Sequence, residues 1–118
     1  MSLFRSYRFP PVNRLRHRWE FMLVRENGIV FRTKYFIVYQ ASNDKKLKRL
    51  GITASRKIGN AVLRNHIKRL IRQFFRLNFD KLPASVDISI ICKRGAASLT
   101  YAQVSSELSF LVKGNENK

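Results

Sequence analysis

The stretch NAVLRNHIKRLIRQFFRLN, residues 60–78, decides the fold. At about 100° per residue, Leu63, Ile67, Leu70, Ile71, Phe74, Leu77 and Asn78 share one arc, and all but Asn78 are apolar. Arg64, Lys68, Arg72 and Arg76 stand four apart and read as the opposite arc, with Asn65 and Arg69 beside them. The pattern predicts an amphipathic helix whose apolar side needs a second layer to cover it. Its polar side carries one sign of charge only. Like charges at i,i+4 destabilise a helix by about 0.2–0.5 kcal/mol per pair. No Asp or Glu lies anywhere in 45–76 to offset them. Phosphates would. Gly59 suits the turn into this helix and Asn60 its N-cap, and the helix N-terminus is itself a ready phosphate site.

Outward from the helix, the hydrophobic pattern switches to period two. Residues 30–40, VFRTKYFIVYQ, predict one strand with Tyr35, Ile37 and Tyr39 on one face and Phe36 and Val38 on the other. Residues 49–55 and 86–92 predict two more strands, and 41–48 a polar basic loop. Residues 14–26 predict a first helix, with Gly28 as its left-handed C-terminal cap. Thr100 and Gln103 have the spacing of a capping box and open a last helix. Its inward positions are Tyr101, Val104, Leu108 and Leu111, and Gly114 ends it. The order helix, strand, strand, helix, strand, helix is that of a layered α+β domain. Residues 1–12, with Pro10 and Pro11, read as a flexible basic arm. Residues 13–113 form one domain and 114–118 a tail.

Composition narrows the partner. In 118 residues there are 24 Lys and Arg against 7 Asp and Glu, a net charge of +17. A chain so charged is stabilised by a polyanion. An anionic membrane surface is the weaker candidate, because the apolar arc of 60–78 is needed for the core. No apolar run is long enough to span a bilayer, and the arm carries no secretory signal. One cysteine, Cys92, makes no internal disulfide, which fits a cytoplasmic setting. His17 and His66 lie far apart and do not form a general-base or zinc constellation. Asp80 and Asp87 are not a convincing metal pair. Lys57-Ile58-Gly59-Asn60 lacks the spacing of a nucleotide-phosphate loop. No catalytic set is expected. Among the aromatics interleaved with bases, Phe21 and Tyr39 are the expected exposed stacking faces, ahead of Trp19 and Tyr35.

The segment RLGITASRKIGNAVLRNHIKRLIRQFFR, residues 49–76, resembles the signature of the protein component of bacterial ribonuclease P. Ser55, Lys57, Gly59, Asn60, Ala61, Val62, Arg64, Asn65, Lys68, Arg69 and Arg72 match it. Arg56 stands where Lys is usual, and His66 where the second Arg of the R-N-R core is usual. Leu15, Phe21 and Val24 follow the family's early pattern, with Arg25 where Phe is common in some members. The likeness spans about 13–112.

The resemblance implies a two-layer α/β sandwich with a left-handed β-α-β crossover. It implies a protein subunit that binds the catalytic RNA subunit, 1:1, and the single-stranded 5′ leader of precursor tRNA. The RNA with Mg²⁺ then performs the cleavage in tRNA 5′ maturation. Arg64, Asn65, His66, Lys68, Arg69, Arg72 and Arg76 would meet the RNA subunit. Phe21, Arg25, Ile37, Tyr39, Ser55, Arg56 and Lys57 would line the leader cleft. No protein metal site is assigned. The alternatives are a stand-alone RNA-binding module, such as a ribosomal or RNA-chaperone protein, and an autonomous nuclease.

Overall fold

Period-two segments pair and the period-3.6 segments cover them. In the computed structural model, which describes residues 10–112, the helices are α1 (Arg18–Asn27), α2 (Ala61–Leu77) and α3 (Tyr101–Leu108). The strands are β1 (Ile29–Arg32), β2 (Phe36–Ser42), β3 (Lys48–Thr53) and β4 (Val86–Cys92). They form one sheet in the order β1-β2-β4-β3. The pairs β1/β2 and β2/β4 are antiparallel, while β3 and β4 are parallel neighbours joined through α2. That segment is the expected β-α-β crossover.

One sheet face carries Phe36, Val38, Leu50, Val86, Ile88 and Ile90, all buried against α2 and α3. From α2 come Ile67, Leu70, Ile71, Phe74 and Phe75, from α3 Val104 and Leu108, and from just beyond it Leu111. This is the two-layer sandwich. The opposite face meets α1 and the extended segment before it, through a smaller cluster of Leu15, Val24 and Ala41 with Phe21 and Tyr39 against it.

Several expectations are corrected. The single strand over 30–40 is a hairpin. Thr33 breaks it, accepting from the Phe36 amide with Oγ1 (3.1 Å) and donating its own amide to the Phe36 carbonyl (2.9 Å). The first helix begins at Arg18, because residues 14–17 are extended. Leu15 N–H donates to the Leu50 carbonyl at 3.0 Å, and Arg14 bridges to Leu50 in parallel. Pro11–Asn13 form a 3₁₀ turn within the folded body, pinned by Asn13 Nδ2 donating to the Lys48 carbonyl (2.8 Å). The rest of the arm, residue 114 and the tail lie outside the described residues. Gly28 has φ −95° and is no left-handed cap. Its need is space, since a Cβ there would sit 2.5 Å from the Val24 carbonyl oxygen. On α2, Leu63 and Leu77 are exposed and Phe75 is buried in their stead. The Asn60 cap (Oδ1 to Leu63 N–H, 3.0 Å) and the Thr100–Gln103 capping box form as expected, and Gly59 turns with φ +151°.

What fixes α1 to the sheet is ionic. Arg49 on β3 donates from Nε and Nη2 to the two Asp87 oxygens at 2.8 Å each, and from Nη1 to Glu20 Oε2 at 2.7 Å. These side chains are only about a tenth exposed. Glu20 Oε1 also accepts from the Arg16 and His17 amides at 2.7 and 2.9 Å, which starts the helix. Burial pushes the Glu20 carboxyl up, but those two amides and Arg49 together outweigh it and hold its pKa below the ordinary value.

Arg49→Ala should leave two carboxylates buried without a cation and lower stability by about 3 kcal/mol in denaturant unfolding. The depressed Glu20 pKa sets a sign as well. Its contribution is complete above the ordinary value of 4.5 and is lost as pH falls through the lower folded value. Glu20→Gln should therefore flatten the acid limb of the stability curve.

Candidate nucleic-acid interface

Two surfaces present chemistry suited to RNA, and α2 builds the first. A four-residue step on a helix drifts by about 40°, so Arg64, Lys68, Arg72 and Arg76 wind around α2 and do not stay opposite the core. Arg64 begins at the border of the buried arc. It is half-buried, and its Nε is enclosed without a hydrogen-bond partner. Lys68, Arg72 and Arg76 are also half-buried, while Asn65, His66 and Arg69 are exposed. The expected basic face is thus a winding stripe plus an exposed ridge.

Sequence reasoning missed one member. Arg14 is held beside β3 by the Leu50 bridge, and its Nε too is buried without a partner. Burial lowers the Arg72 pKa, and the Arg14 charge lowers it further. Two guanidiniums therefore act on each other. Period two from the Pro-Pro pair onward was the available signal: Asn13 and Leu15 are buried on one side and leave Arg14 between them on the other, toward Arg72. The same geometry removes two residues from the cationic run. Arg49 belongs to the buried triad, and Lys48 donates to the Phe79 carbonyl at 2.5 Å with its ammonium 4.5 Å from the Phe79 ring centroid.

The second surface is the sheet face under α1, which falls into cross-strand rows. The first row, Ala41–Asp87–Arg49, lies beneath the helix and is closed. The next is Tyr39–Ser89–Gly51, with Tyr39 half-exposed. The last, Ile37–Ile91–Thr53, opens to solvent. Phe21 and Arg25 project from α1 along the edge of this opening. The Arg25 guanidinium stands 5.6 Å from the Tyr39 ring centroid, a cation–π pair that keeps the ring edge accessible. Phe21 lies against Gly51, where a Cβ would come within 2.3 Å of its ring. Ser55, Arg56 and Lys57 follow the open end of β3. All three are exposed, and Ser55 Oγ accepts from the Lys57 amide at 3.4 Å. Phe21, Arg25, Ile37 and Tyr39 thus share one opening, and the other three stand at its end. Trp19 is more exposed (57%) than either Phe21 or Tyr39, against expectation, and lies on the other flank of α1.

Among the described residues no three His, Cys, Asp or Glu side chains come together. Burial pushes the Cys92 thiol up to about 12, which leaves it a core residue. No described helix is long and apolar enough to cross a membrane.

A helix whose charged residues are all basic, packed on a sheet with one half-open aromatic face, defines an RNA-binding α+β domain. The family model described as Ribonuclease P matches residues 9–115, and the chain belongs to that family. The ribonuclease P protein component of Syntrophus aciditrophicus is 48% identical over 99 residues, covering 84% of this chain and 83% of its own. That of Desulforapulum autotrophicum is 42% identical over 92% of each chain. Among solved structures, the Staphylococcus aureus ribonuclease P protein superimposes with a TM-score of 0.78 at 33% identity, covering 86% of this chain and 93% of its own. The Thermotoga maritima protein gives 0.76 at 33%, covering 86% and 96%. Proteins of this family are the protein subunit of a tRNA-processing endoribonuclease and partner the ribonuclease P RNA. This decides against the stand-alone RNA-binding module.

Gly51→Ala should destabilise by about 1–3 kcal/mol through crowding of Phe21. Phe21→Leu in the same chain should recover part of that loss, and a denaturant double-mutant cycle would read the coupling.

Proposed function

We propose that the half-open sheet face holds the single-stranded 5′ leader of precursor tRNA while the α2 stripe grips the ribonuclease P RNA in a 1:1 cytoplasmic complex. The observation that carries this reading is the asymmetry of the sheet. One face is closed by the core, and the other offers an apolar and aromatic floor of Ile37 and Tyr39 between cationic walls. Unpaired bases have π-faces that stack on aromatic rings whatever their sequence, and cations beside the floor suit the backbone phosphates. Phe21, Tyr39 and Arg25 would receive bases. Arg56 and Lys57 would meet phosphates as the strand leaves β3. Ser55, which caps the turn, would hold them there.

On the other side, Arg64, Lys68, Arg69 and Arg72 would bind phosphates of the RNA subunit, joined by Asn65, His66, Arg76 and the newly found Arg14. Glu20 and Asp87 are both bonded to Arg49, so in this reading Mg²⁺ is held by RNA and substrate phosphates and supplies the metal chemistry there. The protein's part is to position the leader and to neutralise charge where two polyanions converge.

The test is cleavage of precursor tRNA at low Mg²⁺ by protein alone, by ribonuclease P RNA alone, and by both. Cutting at the mature 5′ end by the mixture only is the expected result. Cleavage by the protein alone would overturn the assignment of chemistry to RNA. For the leader cleft, Tyr39→Ala should lower affinity for precursor tRNA by about tenfold and leave mature tRNA nearly unchanged. An equal loss for both would remove Tyr39 from the cleft. For the RNA face, Arg14→Gln and Arg64→Gln should each lower the salt-dependence slope of RNA-subunit binding by about one.

A further inference from the structure

The floor of the open sheet face does not end at β2. Strand β1 pairs Val30 with Tyr39 and Arg32 with Ile37, and directly opposed residues share a face. The two open rows therefore cross all four strands, as Val30–Tyr39–Ser89–Gly51 and Arg32–Ile37–Ile91–Thr53. The residue between Val30 and Arg32 fixes the sense of the alternation. The Phe31 ring lies 4.9 Å from the ring of Phe110, just beyond α3, so Phe31 belongs to the core side and its two neighbours to the open side. Val30 and Arg32 are both exposed.

The backbone at Arg32 is fixed and its guanidinium is left over. Thr33, next in the chain, closes the hairpin on Phe36, and Lys93 Nζ donates to the Thr33 carbonyl at 2.9 Å. The Arg32 side chain makes no hydrogen bond or ion pair among the described residues. Residues 28–43 contain no Asp or Glu. At the far end of the same row the chain runs from Thr53 into Ser55, Arg56 and Lys57, all exposed. Three strand spacings make the row about 14 Å wide from β1 to β3. An apolar and aromatic floor with a cation at each rim suits a single nucleic-acid strand laid across it. Charge on an edge strand also discourages pairing with another sheet, but that role does not require the face Arg32 occupies.

We propose that Arg32 is a further leader-binding residue, which takes a backbone phosphate where the 5′ leader, laid across the open face, reaches the β1 edge. The proposal rests on the leader-cleft reading above and adds a direction to it. Arg56 and Lys57 lead straight into α2, the helix assigned to the RNA subunit that cuts. The cleaved end of the leader therefore lies at the β3 side, and Arg32 meets its distal part. Only a leader long enough to cross the sheet makes this contact.

The experiment uses the reconstituted complex of protein and ribonuclease P RNA with precursor tRNA carrying a one-nucleotide or a ten-nucleotide leader. Half-saturation is read from single-turnover cleavage at low Mg²⁺. With the long leader, Arg32→Gln should raise half-saturation by about fivefold and lower the salt-dependence slope by about one. With the short leader it should shift half-saturation by less than about twofold. Arg32→Lys should keep the slope of the parent chain. Lys46→Gln, exposed at the opposite end of the sheet, should leave both substrates unchanged. An unchanged half-saturation for Arg32→Gln with the long leader, where Tyr39→Ala shows its loss, would overturn the proposal and leave the leader cleft standing. An equal loss with both leaders would also overturn it and assign Arg32 to the tRNA body or the RNA subunit. No loss in either Arg32→Gln or Tyr39→Ala would overturn the leader-cleft reading itself.

Discussion

One guanidinium organises this molecule. Arg49 reaches from β3 to Asp87 on the neighbouring strand and to Glu20 on α1, so a single cation ties a sheet edge, a sheet centre and a helix start. Ion pairs this buried are weak evidence of net stabilisation, because desolvation offsets most of the attraction. Their value lies in direction. The bidentate fork admits one orientation of the carboxylate, and the Glu20 carboxylate that answers it also caps α1 through two amides. The few apolar contacts of α1, chiefly through Val24 and Phe21, would hold a helix in place less specifically. The position of α1 over the half-open sheet face depends on this one contact.

The remaining cations follow a different logic. The Arg49 triad consumes two of the seven acidic residues, and residues 45–76 themselves contain no carboxylate. Arg14 and Arg72 stand near one another with desolvated guanidiniums. In the free protein this arrangement raises the energy of the folded state. A bound polyanion lowers it, which links RNA affinity to fold stability by mass action. The half-burial of Arg64 and Arg72 sharpens the effect, since a guanidinium supported on an apolar wall has lost much of its side-chain freedom before it meets a phosphate.

Much of this was legible in residues 60–78. A 3.6-residue period with Asn60 at its start could only be a capped amphipathic helix, and the signature within it carried the family. The strands' faces were legible as well, for Phe36 and Val38 against Ile37 and Tyr39. The misplacements have physical causes. The break at Thr33 depends on a side-chain hydroxyl reaching Phe36, which composition does not reveal. Gly28 and Gly51 are glycines for want of room beside Val24 and Phe21, a tertiary fact. Arg49 and Arg64 looked alike in the sequence, yet one is an internal tie and the other a surface cation. Only the fold, by bringing Asp87 and Glu20 to Arg49, separates them. Arg14 escaped because residues 14–26 read as one helix, which masks the two-residue alternation of Asn13, Arg14 and Leu15.

The run Arg64, Lys68 and Arg72 on α2 also sets how the chain behaves outside its complex. Added salt screens the mutual repulsion of Arg64, Lys68 and Arg72 and so favours the folded free protein. The same ions compete for the counterion release that drives RNA binding and weaken the complex. The two equilibria respond to ionic strength with opposite sign. Dilution with pure water thus strips the isolated subunit of the screening its helix lacks in sequence, while the assembled particle tightens.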